Sequence, residues 1–451
     1  MTIQILSRQV LCSTAILLAL SQAPICAADD LDRPPRLTFE SNVDYFAWYQ
    51  RIMSAGKDPA QNAFHEYSLI HPINEGGDRK KLIAAMLMQS RGRRWENRIS
   101  DEMRSALEEN HKSLMRFKLG ANQPFFWCTN REDAERLSRC RSPIQENCHD
   151  AARLLLLEAK TVERNDSTSK LDAWVSILRC ARQFRNDMML SSNSLSLGLR
   201  FMVYANVVQA LQSGDLKKSD MIIVFERLRS TDPCEPDLSR TVIYEWAVAL
   251  DFIQDIAPGG KLNNNKFRAT LGYDPARLFT DQVAPAIEIR DDVDADYARL
   301  SNCFVGPLGL GTLDRLRALD QKNSKESARH LILRKTFPTF SKTVEGFLQG
   351  EDHRRATLLL VAVHSYKARE QRWPSSLNDL KAEGIEDVRS DILTGSDFVY
   401  KPTGHDFILY SIGMDGKDDG GRHDSKWGES PGGGDYVFWP VQDEENPRSA
   451  P

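Results

Sequence analysis

The segment SIGMDGKDDGG, Ser411 to Gly421, sets Asp415, Asp418 and Asp419 among Gly413, Gly416, Gly420 and Gly421. Asp435 follows just before the aromatic run YVFWP. Such a set suits a hard cation. Calcium takes about six to eight oxygen ligands at roughly 2.3–2.6 Å, mixing carboxylates with backbone carbonyls. A short loop brings that many oxygens to one point only by turning sharply, which glycine permits. Asp424 and Glu429 are close enough in sequence to take part from outside. The spacing is not that of an EF-hand. Counting from Asp415, the third position is Lys417 and the twelfth is Lys426, where that motif needs a carboxylate or amide and a bidentate glutamate. Both lysines must face solvent if a cation is held. On spacing alone the loop reads either as a calcium site or as a solvated turn.

Other reactive constellations are weaker. STSK, Ser167 to Lys170, and SSN, Ser191 to Asn193, echo two elements of penicillin-recognising enzymes, but their Lys-Thr-Gly strand is missing. Ser-x-x-Lys is common by chance, so Ser167 reads as a helix cap and Lys170 as a surface residue. The chain has no nucleophile-elbow, zinc-protease or P-loop motif, and GPLGLG, Gly306 to Gly311, lacks dinucleotide spacing. His111 and His364 read as satisfied surface or core residues. Glu108-Glu109 and Asp291-Asp292 read as solvated, and Trp48, Trp174 and Trp246 as core. No catalytic or cofactor-binding residue is expected. An active site assembled across several helices would leave no local mark.

The elements that position these residues change character near Gly350. From about Glu40 to Gln349 the apolar residues recur at helical intervals. Val43, Phe46, Tyr49 (or Gln50) and Met53 form one stripe; Trp95, Ile99, Met103, Leu107, Leu114 and Phe117 form another. Further helices are expected over CHDAARLLLLEAKTVER, KLDAWVSILRCARQF, SLSLGLRFMVYANVVQALQSG and LSRTVIYEWAVALDFIQDI, with stops at Gly214-Asp215 and Pro258-Gly259-Gly260. No fixed repeat period holds across the region, so residues 29–349 are expected to form an irregular helical array, a solenoid-like bundle. EDHRRATLLLVAVHSYKAREQRW then reads as one long helix stopped by Pro374. The period next switches to two in DFVYK, DFILYSI and YVFWP, with KPTGHD holding the turn residues of a hairpin. Residues 350–442 are therefore expected to form a small α+β domain, a long helix on a short antiparallel sheet, followed by a disordered tail over 443–451. The fold class is mostly α.

The first residues read as a targeting segment. MTIQILSRQ carries one basic residue, VLCSTAILLAL is apolar, and SQAPICAADD turns small and acidic, the order of a secretory signal peptide over residues 1–28. Export to the periplasm or cell surface follows, with no membrane span after cleavage, because the apolar run falls short of the ~20 residues a spanning helix needs. Lys and Arg number 59 against 63 Asp and Glu, and no basic run stands out, so nucleic acid is not an expected partner. Outside the signal lie Cys128, Cys140, Cys148, Cys180, Cys234 and Cys303, read either as up to three disulfides or as buried thiols. Their spacing does not form a zinc site.

The tail resembles a known family. HSYKAREQRWPSSLNDL, then DFVYK, DFILYSIGMDGKDDGG and GDYVF, are similar to the C-terminal domain of the type II secretion major pseudopilin. The resemblance covers about the last hundred residues and implies a calcium loop. In it Ile412 offers its backbone carbonyl, Asp415 its carboxylate, and Asp435 closes the site, while Asp418 and Asp419 fall where the family varies. The chain departs from that family in lacking its leader and fibre-forming N-terminal helix, so assembly into a pseudopilus is not implied. The upstream helices resemble exported, uncharacterised bacterial proteins in which a helical region precedes such a tail. The expected function is an exported, non-enzymatic interaction or scaffold protein, its helical region contacting a protein partner and its tail holding a structural calcium. An accessory role in a type II secretion or pilus-like system, and a periplasmic hydrolase with its site among the helices, are the alternatives.

Overall fold

Asp44 opens the first helix by accepting the Ala47 N–H at 2.9 Å, which satisfies one of the free donors at a helix start. This helix, α1 (Tyr45–Ser54), buries Phe46, Tyr49 and Met53 along the expected stripe. The computed structural model describes residues 33–72, 101–129, 137, 143–162, 166–232, 238–271, 286–306, 308–325, 340–424 and 434–440. The expected signal peptide, the disordered tail, Cys140, Cys234, Lys426 and Glu429 lie outside the described residues. After α1 come α2 (Phe64–Ser68), α3 (Asp101–Glu109) and α4 (His111–Ala121). One helix was expected through Phe117. It is interrupted at Asn110, whose side-chain amide donates to the Ala106 carbonyl at 2.8 Å.

The array continues with α5 (Pro143–Thr161), α6 (Ser167–Arg185), α7 (Leu190–Gln212), α8 (Met221–Thr231) and α9 (Leu238–Ile256). Then follow α10 (Asn264–Leu271), α11 (Ala286–Cys303) and α12 (Leu310–Lys325). α6 packs along α7, and α9 along α11. The chain is mostly α, and the irregular array matches the periodicity argument. Two residues depart from expectation. Asp166, not Ser167, caps α6 by accepting the Ser169 N–H at 3.1 Å, and the buried Ser167 hydroxyl instead accepts the Lys217 N–H at 2.9 Å. Lys170 is not on the surface. Its ammonium is buried 3.2 Å from Asp215 Oδ2, a carboxylate from the break after α7 that supplies the opposite charge burial requires.

The long helix α13 (Phe340–Glu370) starts ten residues before the expected boundary and runs unbroken through it. It packs on α7, α8 and α12, and also on β3 of the sheet. The sheet is antiparallel in the order β1 (Val399–Pro402), β2 (Phe407–Ser411), β3 (Tyr436–Trp439). Its first turn lies where KPTGHD was expected to bend. A single apolar core reaches from Leu37 to Trp439, through Trp174, Leu358 to Leu360 and Phe407. Among the described residues no helix is long and apolar enough to cross a membrane.

Charge is buried where the array meets α13. Arg200 Nε donates to Asp232 Oδ2 at 2.6 Å and its Nη2 to Glu351 Oε2 at 3.0 Å, while Arg185 reaches Asp232 at 2.8 Å and Arg354 reaches Glu351 at 2.7 Å. Cys148, Cys180 and Cys303 are buried free thiols, in line with the thiol reading at these three positions, and Cys128 is buried.

Candidate metal centre

Strand β2 delivers the chain into the aspartate loop, and its last residue is pinned from below. The Ser411 hydroxyl donates to Asp391 Oδ2 at 2.6 Å and accepts the Gly413 N–H at 3.0 Å. Asp391 Oδ1 accepts the Leu393 N–H at 2.9 Å, and Asp352 of α13 accepts the Ile392 N–H at 2.7 Å. Burial raises the Asp352 carboxyl well above its usual range, and the adjacent Asp391 raises it further. This anchor was missed in the sequence, where nothing singles out Asp391. Its partner Asp352 is an ordinary charged position on a helix 39 residues earlier, and no local spacing relates them.

The loop itself turns at Gly413, Gly416, Gly420 and Gly421, all with positive φ between 68° and 84°. Ile412 is half-buried, one residue past β2. Asp415 is exposed and accepts the Lys417 N–H at 3.0 Å, a local turn, and Lys417 faces solvent as expected. Asp418 Oδ1 accepts the Tyr410 hydroxyl at 2.8 Å and the Gly420 N–H at 2.9 Å, which hold its carboxyl below the usual range. Lys401, across the hairpin on β1, donates to that same Tyr410 hydroxyl, and its ammonium stands 3.8 Å from Asp418 Oδ2. Lys401 is a cationic neighbour that the loop's own sequence does not announce.

Asp435 closes the loop and differs from the other carboxylates. The residue has no exposed surface. One carboxylate oxygen, Oδ2, accepts the Gly421 N–H at 2.6 Å, and the other, Oδ1, is buried without a hydrogen-bond partner. Burial pushes the Asp435 carboxyl above its usual range; the backbone N–H groups of Gly421 and Asp419 oppose this, and the charges of Asp418 and Asp419 add to it. Asp419 is brought close by a missing side chain. A Cβ on Gly434 would stand 3.1 Å from Asp419 Oδ2, so glycine there leaves room for that carboxylate beside Asp435. Asp424 donates its N–H to the Asp435 carbonyl at 2.8 Å, and His423 Nδ1 accepts the Val437 N–H at 3.2 Å, stitching the loop's end to β3.

The structure thus brings Asp418, Asp419 and Asp435 into one electrostatic neighbourhood and leaves Asp415 on its own turn. The donor set is all oxygen, which is the chemistry of a hard cation. The unpartnered Asp435 Oδ1 is the one buried acceptor of the set that a cation would satisfy. Among the described residues no three His, Cys, Asp or Glu side chains stand in chelating geometry.

The remaining candidates read from the sequence are structural. Asn193 donates to Thr241 Oγ1 at 3.0 Å between α7 and α9. Trp48 and Trp174 are buried and Trp246 is half-buried, while Glu108, Glu109, Asp291 and Asp292 are exposed. His364 lies among the rings of Trp373, Phe407 and Trp439, but its Nε2 lacks a partner, so it is a core residue without the satisfaction expected of one. No protein-family model matches the chain, and comparison with curated proteins and with solved structures gave no match.

Proposed function

We propose that this chain is an exported, non-enzymatic interaction or scaffold protein whose tail is fixed by a structural calcium ion. The observation that carries the calcium reading is Asp435: a fully buried carboxylate with one oxygen unpartnered, raised by burial and by two neighbouring carboxylates. Leaving such a group unsatisfied costs stability, and a divalent cation would both pair it and cancel the repulsion. Asp418, Asp419 and Asp435 would supply carboxylates. The resemblance to the pseudopilin domain adds Asp415 and the Ile412 carbonyl to the set. The array would supply the partner surface, with the tail docked beside it along α13.

Calcium titration of the full chain by calorimetry, with a parallel thermal melt, tests this. The full chain is needed because α13 belongs to both the array and the sheet. Saturable binding and a raised melting temperature are expected, with stabilisation of about 2.7 kcal/mol when calcium stands at a hundredfold its dissociation constant. Absence of binding at millimolar calcium would return the loop to a solvated turn.

A further inference from the structure

Both ends of the aspartate loop rest on the helical array. At the start, Met414 follows Gly413 and packs against the core, its Sδ 4.0 Å from Arg317 Nη2 on α12. The same Arg317 Nη2 lies 3.4 Å from Glu345 Oε2 on α13, so the loop, α12 and α13 meet at one guanidinium. At the end, Tyr436 directly follows Asp435. Its ring stands 4.8 Å from the His423 ring and 5.0 Å from the His353 ring on α13. The His353 ring in turn meets Phe201 of α7 edge-on at 4.9 Å. Contact there is tight because Gly350, one turn before His353, lets Leu197 approach; a Cβ on that glycine would fall 2.3 Å from Leu197 Cδ1.

We infer that cation occupancy of the loop is thermodynamically coupled to the packing of α12 and α7 against the tail. The inference rests on the calcium reading and goes past it, because a structural ion could equally act on the sheet alone. The physical path is short. A cation drawing Asp418 and Asp419 toward Asp435 fixes the backbone on both sides of Met414 and Tyr436, the residues that carry the loop's contacts to Arg317 and His353. Contacts that form better around the ion-bound loop must, by reciprocity, raise affinity for the ion by the same factor. Weakening α12 at Arg317 therefore weakens calcium binding at a loop whose own sequence is untouched.

The test uses the full chain with calcium chloride as the only ligand. Calorimetric titrations compare wild type with Arg317→Gln, Met414→Ala and, as a control distant from the loop, Met115→Ala on the exposed face of α4. Hydrogen exchange of peptides from Leu310–Lys325 and Leu190–Gln212 is then followed in excess calcium and in chelator. Expected are a loss of affinity of about fivefold or more in Arg317→Gln and Met414→Ala, no change in Met115→Ala, and slower exchange in both helices with calcium. Wild-type affinity in both Arg317→Gln and Met414→Ala overturns the coupling, as does calcium binding that leaves exchange in both helices unchanged; either result leaves the calcium site standing. No binding to wild type removes the calcium reading and the coupling together.

Discussion

Helix α13 separates two regions that handle buried ionisable groups in opposite ways. Toward the array, Glu351 and Arg354 are buried as charges. Arginines surround the carboxylates, and although burial alone would raise them, the guanidiniums of Arg354 and Arg200 hold Glu351 far below its usual range. Asp232 is likewise held low by Arg200 and Arg185 against its burial. Toward the sheet, the same helix presents His353 and His364 among aromatic rings, and burial lowers each to about 4 so that both are neutral near pH 7. The loop beyond the sheet follows neither pattern. Asp435 is buried with a raised carboxyl and an unpartnered oxygen. The array pairs its buried carboxylates Asp232 and Glu351 with its own arginines, whereas the loop leaves one carboxylate oxygen open.

Breaking the array's pairing should cost the most. Arg200→Met leaves Asp232 and Glu351 each short of a partner in a site with almost no exposure, and losses of this kind run to about 3–5 kcal/mol. A denaturant melt should show that loss equally in calcium and in chelator, since the cluster contains no part of the loop. A loss confined to chelator would merge the two regions and void the contrast.

The histidines give a smaller effect, readable in pH. Their folded values of about 4 lie below the ordinary 6.5, so the unfolded chain takes up protons first as the solution acidifies. The stability they permit is complete above about pH 6.5 and is lost as pH falls toward 4. Because both rings are only half-buried by area, on the order of 2 kcal/mol per histidine is a fair ceiling. His364→Phe should flatten this slope while keeping the ring contacts with Trp373, Phe407 and Trp439. The depressed carboxylates of the array act elsewhere, whereas burial raises Asp187 to about 6 and Glu245 to about 7, within reach of the same window and with the opposite slope. Depressed Asp232 and Glu351 lose their contribution only below about pH 4, so a slope between pH 4 and 6.5 that survives His364→Phe and His353→Phe together would show that other groups govern it.

The fold was legible where its signal is local. Helical periodicity located α5, α6, α7 and α9, and the switch to alternation located the sheet, because each depends on neighbours within a few residues. Pairings across the chain were not legible. Lys170 reads as a solvated helix residue until Asp215, from another segment, is set beside it. Glu351 is 151 positions from Arg200. The start of α13 was missed because the change in composition near Gly350 marks a change of neighbours, not of secondary structure. In the loop, residue types named the chemistry and the glycines named the turns. What the spacing could not give was the division of labour: Asp415 on its own turn, Asp418 beside Lys401, and Asp435 buried and open.

That division makes the smallest prediction the most discriminating, because its sign reverses. Asp435→Asn keeps the side chain's size and leaves an oxygen able to accept the Gly421 N–H, but removes the charge. In chelator the wild-type carboxylate is buried with a raised pKa, so its ionisation opposes folding as pH rises past the usual carboxylate range. The amide carries no such cost, and near pH 7 the variant should melt higher than wild type in chelator. In calcium the order should invert, since the amide gives up the charge that the ion would pair. Two melts of each protein decide it. A variant less stable by the same amount in both conditions would mean that Asp435 is held by its hydrogen bonds alone, and the contrast between the array's paired carboxylates and the loop's open one would disappear.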